Sequence, residues 1–242
     1  MTERRRVGRI EAAFQKMFTR HARVVAIEPI GARFRLITLG GDALKQVAWT
    51  PGDKLQLMFG GWMQRTYTPI EWDPVNGTTR RLAFMHSDGP AARWARDLRI
   101  GDDCTLFGPR RSIDLHAVTA PAFVFGDETT LGLAIALGDM RPALSPVTIS
   151  VDMTPADDLD EVRQLLGLGH VDMHLRRADD AHFSAIEARA TRFLATYPSA
   201  SFVLTGKSTS IQRLRRSLRK ENDKASAYQN KAYWAPGKTG LD

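Results

Sequence analysis

Three short segments hold the side chains best suited to chemistry: Arg65-Thr66-Tyr67-Thr68, then His86-Ser87-Asp88-Gly89-Pro90-Ala91-Ala92-Arg93-Trp94, then Gly101-Asp102 with Gly108-Pro109. An Arg, a Tyr and a Thr at alternating or adjacent strand positions can serve a diphosphate, an aromatic ring and a ring nitrogen at once. A Gly-Pro turn that opens a helix offers free first-turn N–H groups to the same phosphates. Taken singly, Arg65 would be a surface ion-pair residue and Tyr67 a core aromatic. Taken together, in this order, the segments read as a flavin site.

Such a site needs a scaffold. Residues 24–27, 34–39, 55–59, 81–85 and 104–107 are short runs of strand character. Gly40-Gly41-Asp42, Pro51-Gly52-Asp53, Asn76-Gly77 and Gly101-Asp102 punctuate them as turns. This spacing predicts a small antiparallel β-barrel over 21–118, interrupted by one helix at about 90–98. From 119 the rhythm changes. Runs at 122–125, 147–151, 171–175 and 201–205 alternate with helical segments near 131–137, 159–166, 183–197 and 209–220, which predicts a parallel α/β sheet over 119–242. Such sheets take ligands beyond the carboxyl ends of their strands. Here those ends are Gly126-Asp127-Glu128-Thr129 and Gly206-Lys207-Ser208. The expected fold class is therefore a two-domain β plus α/β protein.

The net charge of +7 is concentrated at the two ends. Residues 1–23 hold seven Lys/Arg against two acids and residues 206–242 nine against three, while the stretch between is net −4. A basic extension over 1–20, with an amphipathic helix at 8–18, is expected to precede the barrel. No apolar run approaches the roughly 18 residues of a membrane helix. No apolar core follows Met1-Thr2-Glu3-Arg4-Arg5-Arg6, so a secretory signal is not expected. The single cysteine, Cys104, fits a reducing compartment and a buried strand position. These features predict a cytoplasmic protein without membrane insertion.

A flavin barrel followed by a parallel α/β domain resembles the ferredoxin–NADP-reductase-like enzymes. Within that superfamily the chain is most similar to the siderophore-interacting proteins, which are FAD-dependent ferric-siderophore reductases. The resemblance covers the chain from about His21. It rests on the three segments above, on Gly126-Asp127-Glu128-Thr129 after a strand, and on the tail Tyr233-Trp234-x-x-Gly237. It implies that Arg65 pairs with the FAD pyrophosphate, that Tyr67 stacks on the isoalloxazine and that Thr68 reaches flavin N5. His86, Gly89, Pro90, Ala91, Ala92 and Trp94 would shape the phosphate and adenosine end. Gly126, Asp127, Glu128 and Thr129 would border a nicotinamide dinucleotide. A basic cluster of Lys207, Lys231 and Lys238 would hold an anionic ferric siderophore.

Two places depart from the family pattern. Pro69-Ile70 stand where relatives commonly carry an Arg or another polar residue. Thr130-Leu131-Gly132 replace Ala-Leu-Pro, and Gly132 is expected to loosen the start of its helix. No Gly-x-Gly-x-x-Gly fingerprint occurs. Direct reduction by NAD(P)H is therefore set against reduction by a ferredoxin docked on Arg4, Arg5 and Arg6.

Asp127 and Glu128 could be a catalytic acid pair, but flavin chemistry needs none, and capping of the following helix is the expected role. His170 and His174 have metal-like spacing within a strand-like run and are read as solvent-facing or satisfied, so no metal site is expected. On the last helix Ile211, Leu214 and Leu218 mark the buried stripe, with Arg215 and Arg219 placed toward solvent. Two other classes stand beside the ferric reductase: a flavin or ferredoxin oxidoreductase with a different acceptor, and a non-enzymatic module that binds through the basic ends. Nucleic acid is not expected as a partner.

Overall fold

The computed structural model describes residues 19–58, 64–85, 89–221 and 227–237. The basic extension and its expected helix at 8–18 lie outside the described residues, as do His86 and Lys238.

Seven strands form the first sheet: β1 (Thr19–Ile30), β2 (Phe34–Gly40), β3 (Lys54–Met58), β4 (Gln64–Tyr67), β5 (Pro69–Asp73), β6 (Thr78–Phe84) and β7 (Asp103–Arg110). Their order is β4-β3-β7-β1-β2-β6-β5, and every pairing is antiparallel. The period-two alternation of the strands sends one set of residues inward. Ile37, Leu39, Leu55, Leu57, Ala83, Cys104 and Leu106 close over one another there, with Trp72. Cys104 is thus a buried strand residue, as expected. The helix α1 (Pro90–Asp97) lies between β6 and β7. Gly101-Asp102 turns the chain from α1 into β7 through bonds to Val24, and Gly108-Pro109 sits within β7 itself. Both pairs serve the scaffold.

The second sheet contains β8 (Ala122–Asp127), β9 (Val147–Met153), β10 (Val171–Leu175), β11 (Ser201–Lys207) and β12 (Ala227–Trp234). Its order is β10-β9-β8-β11-β12, all parallel. Helices α2 (Leu131–Ala136), α3 (Leu159–Leu165), α4 (Ala181–Thr196) and α5 (Ser208–Glu221) connect the strands. On one face Phe123, Phe125, Phe202 and Leu204 pack on α4 and α5. On the other face Val124, Ile149 and Val203 join Leu131 and Leu133 of α2. That second cluster continues into the first sheet through Ile30, Phe34, Leu36 and Leu82. The two sheets therefore share one buried core.

Two expectations are corrected here. The segment carrying Lys231 is not a tail beyond the sheet: it is β12, an edge strand in register with β11, Lys231 opposite Thr205. And Gly132 does not loosen α2. It lets the helix approach β5, since a Cβ on it would lie 3.2 Å from the carbonyl oxygen of Thr68 and 3.6 Å from Ile70. Ile70 is the partner in that contact, packed against the shared core. An apolar side chain there is what α2 requires.

Candidate functional site

Arg65 and Tyr67 sit two apart on β4, opposite Leu57 and Leu55, so both share the face that those leucines fill deeper in the sheet. Arg65 is half-buried. Its Nη1 donates to the Gln64 carbonyl at 2.8 Å, and among the described residues it has no carboxylate partner. Tyr67 is half-buried and packs against the inner cluster of the first sheet. Thr68 follows at the corner between β4 and β5, its hydroxyl 3.5 Å from the hydroxyl of Tyr233 at the end of β12. Burial pushes the Tyr233 phenol up to about 12, so it stays neutral beside Thr68.

The helix α1 completes this corner. Gly89 is its extended N-cap and Pro90 its first residue. No side chain caps it, and no acid lies in its first turn. The N–H groups of Ala91 and Ala92 therefore face an end with positive dipole and no built-in acceptor from a cap. Ala92 is buried. Trp94 is joined to Tyr67 through a residue that the sequence reading missed. The guanidinium of Arg81, on β6, lies 4.1 Å from the Tyr67 ring centroid and 4.9 Å from that of Trp94. The structure thus brings together the two segments that the sequence reading assigned to one site.

At the carboxyl ends of β8 and β11 the side chains serve one another. Asp127 is 2% exposed. Its carboxylate accepts from the Thr129 N–H at 2.9 Å, the Thr129 hydroxyl, the Lys207 N–H at 2.8 Å and Trp234 Nε1–H at 2.7 Å. With Thr130 it forms a capping box, so the expected capping role stands. Burial still pushes its carboxyl above the ordinary range, against those donors. Gly206 has a φ of +91°, and a Cβ there would lie 2.6 Å from Asp127 Oδ2, so this close approach needs glycine. Glu128, 3% exposed, is held by a fork from Arg176 at 3.0 and 2.9 Å. Arg176 Nε also pairs with Asp152 at 2.9 Å, and His182 lies 3.4 Å from the same carboxylate. Asp127 and Glu128 are therefore engaged inside the protein, Gly126 is buried with them in β8, and Thr129 is the half-buried member of the segment.

Beyond the carboxyl ends of β9, β10 and β11 lies a cleft of about 290 Å³, lined by Asp152, Arg177, His182, Lys207, Arg213 and Arg216 among others. Lys207 reaches it, its Nζ 5.6 Å from the Trp234 ring. Lys231 is not part of its lining. The cationic neighbours that the fold gives Lys207 are arginines from β10's far end and from α5. Arg215, expected at the solvent face of α5, instead packs over Tyr228 at 5.5 Å, while Arg219 is exposed as expected. His170 and His174 are half-buried, and burial pulls the His174 imidazole down. Among the described residues no cluster of His, Cys, Asp or Glu could hold a metal ion.

Comparison with known proteins bears on the segment that holds Arg65–Thr68. Residues 61–113 match the family model of the siderophore-interacting FAD-binding domain. The matched segment holds β4, β5, β6, α1 and β7, and so covers part of the stretch from about His21 over which the resemblance was drawn from the sequence. The whole fold is similar to a siderophore utilization protein from T. fusca, at 19% identity and a TM-score of 0.70, over 93% of this chain and 95% of that one. It is also similar to the siderophore-interacting protein SipS from Aeromonas hydrophila, at 18% identity and 0.72, over 91% and 93%. A ferredoxin–NADP+ reductase from Plasmodium falciparum aligns at 13% identity and 0.60, over 87% and 95%. Identities this low establish the two-domain reductase-like fold. No curated protein matches the chain. The residues present fit FAD: Arg65 lacks a carboxylate, the start of α1 lacks a cap, Tyr67 offers an aromatic ring, and a buried guanidinium stands between two rings with no carboxylate beside it among the described residues.

Proposed function

We propose that the chain is an FAD-dependent reductase that releases iron from an anionic ferric siderophore. The observation that carries this reading is the corner formed by Arg65, Tyr67, Thr68 and the uncapped start of α1, inside a segment that matches an FAD-binding domain. Bound FAD would supply the exchange between a two-electron donor and one-electron acceptors. Arg65 suits the diphosphate because a guanidinium fork matches paired phosphate oxygens. The N–H groups of Ala91 and Ala92 add to the same anion site. Tyr67 gives a ring for a planar heterocycle, and Thr68 holds a hydroxyl beside it, steadied by Tyr233.

The cleft beside Lys207 supports an anionic substrate. Arg177, Lys207, Arg213 and Arg216 outnumber Asp152 and Asp180 in its lining. Arg213 is committed to Glu187 and Asp180, and Arg177 pairs with Asp179 at 3.5 Å, which leaves Lys207 and Arg216 as the candidates for attraction. Each Fe(III) reduced to Fe(II) takes one electron, and Fe(II) binds hard oxygen donors less tightly, so the chelate loosens. NAD(P)H or a reduced ferredoxin would be the donor.

Two measurements test this reading. The purified or FAD-reconstituted protein should show an oxidised flavin spectrum with one FAD per chain. Under anaerobic conditions the reduced protein should be reoxidised by a ferric siderophore, with Fe(II) trapped by a chromogenic chelator, faster at low salt. A protein that takes up no FAD, or whose reduced form reacts with quinones and free flavin but not with ferric chelates, would overturn it. Anaerobic stopped-flow identifies the donor: fast, saturable bleaching by micromolar NADPH or NADH excludes the need for a ferredoxin.

A further inference from the structure

Strand β6 carries two adjacent arginines with opposite fates. Arg80 points outward and pairs with Glu28 at 3.4 Å and Glu71 at 3.3 Å. Arg81 points inward, opposite Ile37 of β2 and Pro69 of β5, and is 0% exposed. Among the described residues no carboxylate pairs with it, and its Nε, Nη1 and Nη2 make no well-aligned hydrogen bond, Tyr67 lying against it. Around it are the rings of Tyr67 and Trp94 and the thiol of Cys104. An arginine in such a place keeps its proton. Ring faces offset part of its desolvation, but a buried charge without a partner is among the costliest features a core can hold. An apolar side chain would fill the same space without that penalty.

The two rings that enclose Arg81 belong to the two segments of the FAD corner, one on β4 and one on α1. Arg65 shares a face of β4 with Tyr67, and α1, which carries Trp94, begins without a side-chain cap. We propose that Arg81 is the buried counter-charge of the cofactor: its guanidinium, unpaired within the protein, is neutralised by the diphosphate of bound FAD. The inference rests on the FAD reading above. Because protein rather than water surrounds the guanidinium, its attraction is weakly screened. Its contribution is therefore insensitive to salt, whereas that of the more exposed Arg65 falls as salt rises.

The test compares the full-length wild type with Arg81→Met and Arg81→Lys, reading apoprotein melting and the affinities for FAD and for riboflavin, which lacks phosphate. Arg81→Met should leave the apoprotein melting temperature unchanged or raised, yet weaken FAD at least tenfold at both low and high salt. Riboflavin binding should stay within about twofold. Arg81→Lys should retain most of the FAD affinity. A purely structural arginine would give the reverse: a lower melting temperature and unchanged FAD affinity for Arg81→Met. That result overturns the proposal. Equal losses for FAD and riboflavin also overturn it, because the charge would then act on the ring. If Arg81→Met does not fold, Arg81→Lys against Arg81→Gln decides, since only a charge effect separates their FAD affinities at equal stability; equal affinities overturn the proposal. A wild type that binds no FAD instead defeats the functional reading on which this inference rests.

Discussion

Removing Arg176 should be the most damaging single change among the polar groups of the second sheet. Its side chain binds Glu128 through both terminal nitrogens, Asp152 through Nε at 2.9 Å, the Thr154 hydroxyl at 2.7 Å and the Asp152 carbonyl at 3.1 Å. Arg176→Met strips the cation from two carboxylates buried at the ends of adjacent strands. Breaking one buried pair by deleting a partner costs about 3–5 kcal/mol. Here two acids lose a partner, but Glu128 keeps the Thr154 N–H and Asp152 keeps His182. A loss of about 4 kcal/mol is therefore expected, or roughly 10 °C in Tm for a chain of this size. The pH dependence carries a sign. Burial already pushes the Asp152 carboxyl above its ordinary range while Arg176 pulls it down. Without Arg176 it rises further, so the variant loses stability as pH climbs from the ordinary aspartate range toward neutrality and recovers it as pH falls. Urea denaturation followed by circular dichroism at pH 7 and pH 5 reads both effects. The triple change Glu128→Gln, Asp152→Asn, Arg176→Met should be milder than Arg176→Met alone. A loss under about 1 kcal/mol at pH 7, or a variant no more stable at pH 5, would refute this account of the network.

Three further outcomes follow from the same geometry. Arg65→Ala should weaken FAD by roughly 2–4 kcal/mol, the loss of a charge-assisted fork, with apoprotein stability nearly unchanged; equal titration curves for variant and wild type would remove Arg65 from the site. Gly132→Ala places a methyl group 3.2 Å from the Thr68 carbonyl oxygen, so the crowding should offset the about 1 kcal/mol that alanine gains over glycine in a helix, and the shift of Thr68 should weaken FAD binding, as calorimetry would report. In an alkaline titration at 295 nm one of the tyrosines, Tyr233, should resist ionisation until about pH 12; stability should be full below pH 10 and fall between 10 and 12, and Tyr233→Phe should abolish that loss.

Both sheets were legible in the sequence because their central strands are dense in β-branched and aromatic residues, while Gly-Asp and Asn-Gly pairs mark the turns. The strands that went unread lie at the edges. β5 begins with Pro69, tolerable at a strand's first position, and β12 reads Ala-Tyr-Gln-Asn-Lys-Ala-Tyr-Trp, without a β-branched residue. The flavin corner was legible because its residues are close in sequence. Arg176 was not, because its partner is distant: it meets Glu128 across 48 positions. Nothing in the sequence distinguishes Arg81 from Arg80; the pleat of β6 does, turning one inward and the other out. Lys231 and Lys238 were grouped with Lys207 as the basic cluster that the resemblance implies, but parallel register fixes Lys231 opposite Thr205.

The cluster that runs from Phe34 and Leu36 through Leu131 to Val203 makes the two sheets one thermodynamic unit. Melting should pass through a single calorimetric transition, and cofactor uptake at the first sheet should protect amides in the second from exchange. A chain severed at residue 118 would leave two fragments, each with an oily face that water cannot solvate, and both should aggregate. Nor is there slack for a hinge between the sheets, because swinging them apart would expose Val124, Leu133 and Leu82 together. Admission of the proposed chelate would then fall to side chains and loops around a rigid frame, and turnover should be correspondingly indifferent to solvent viscosity.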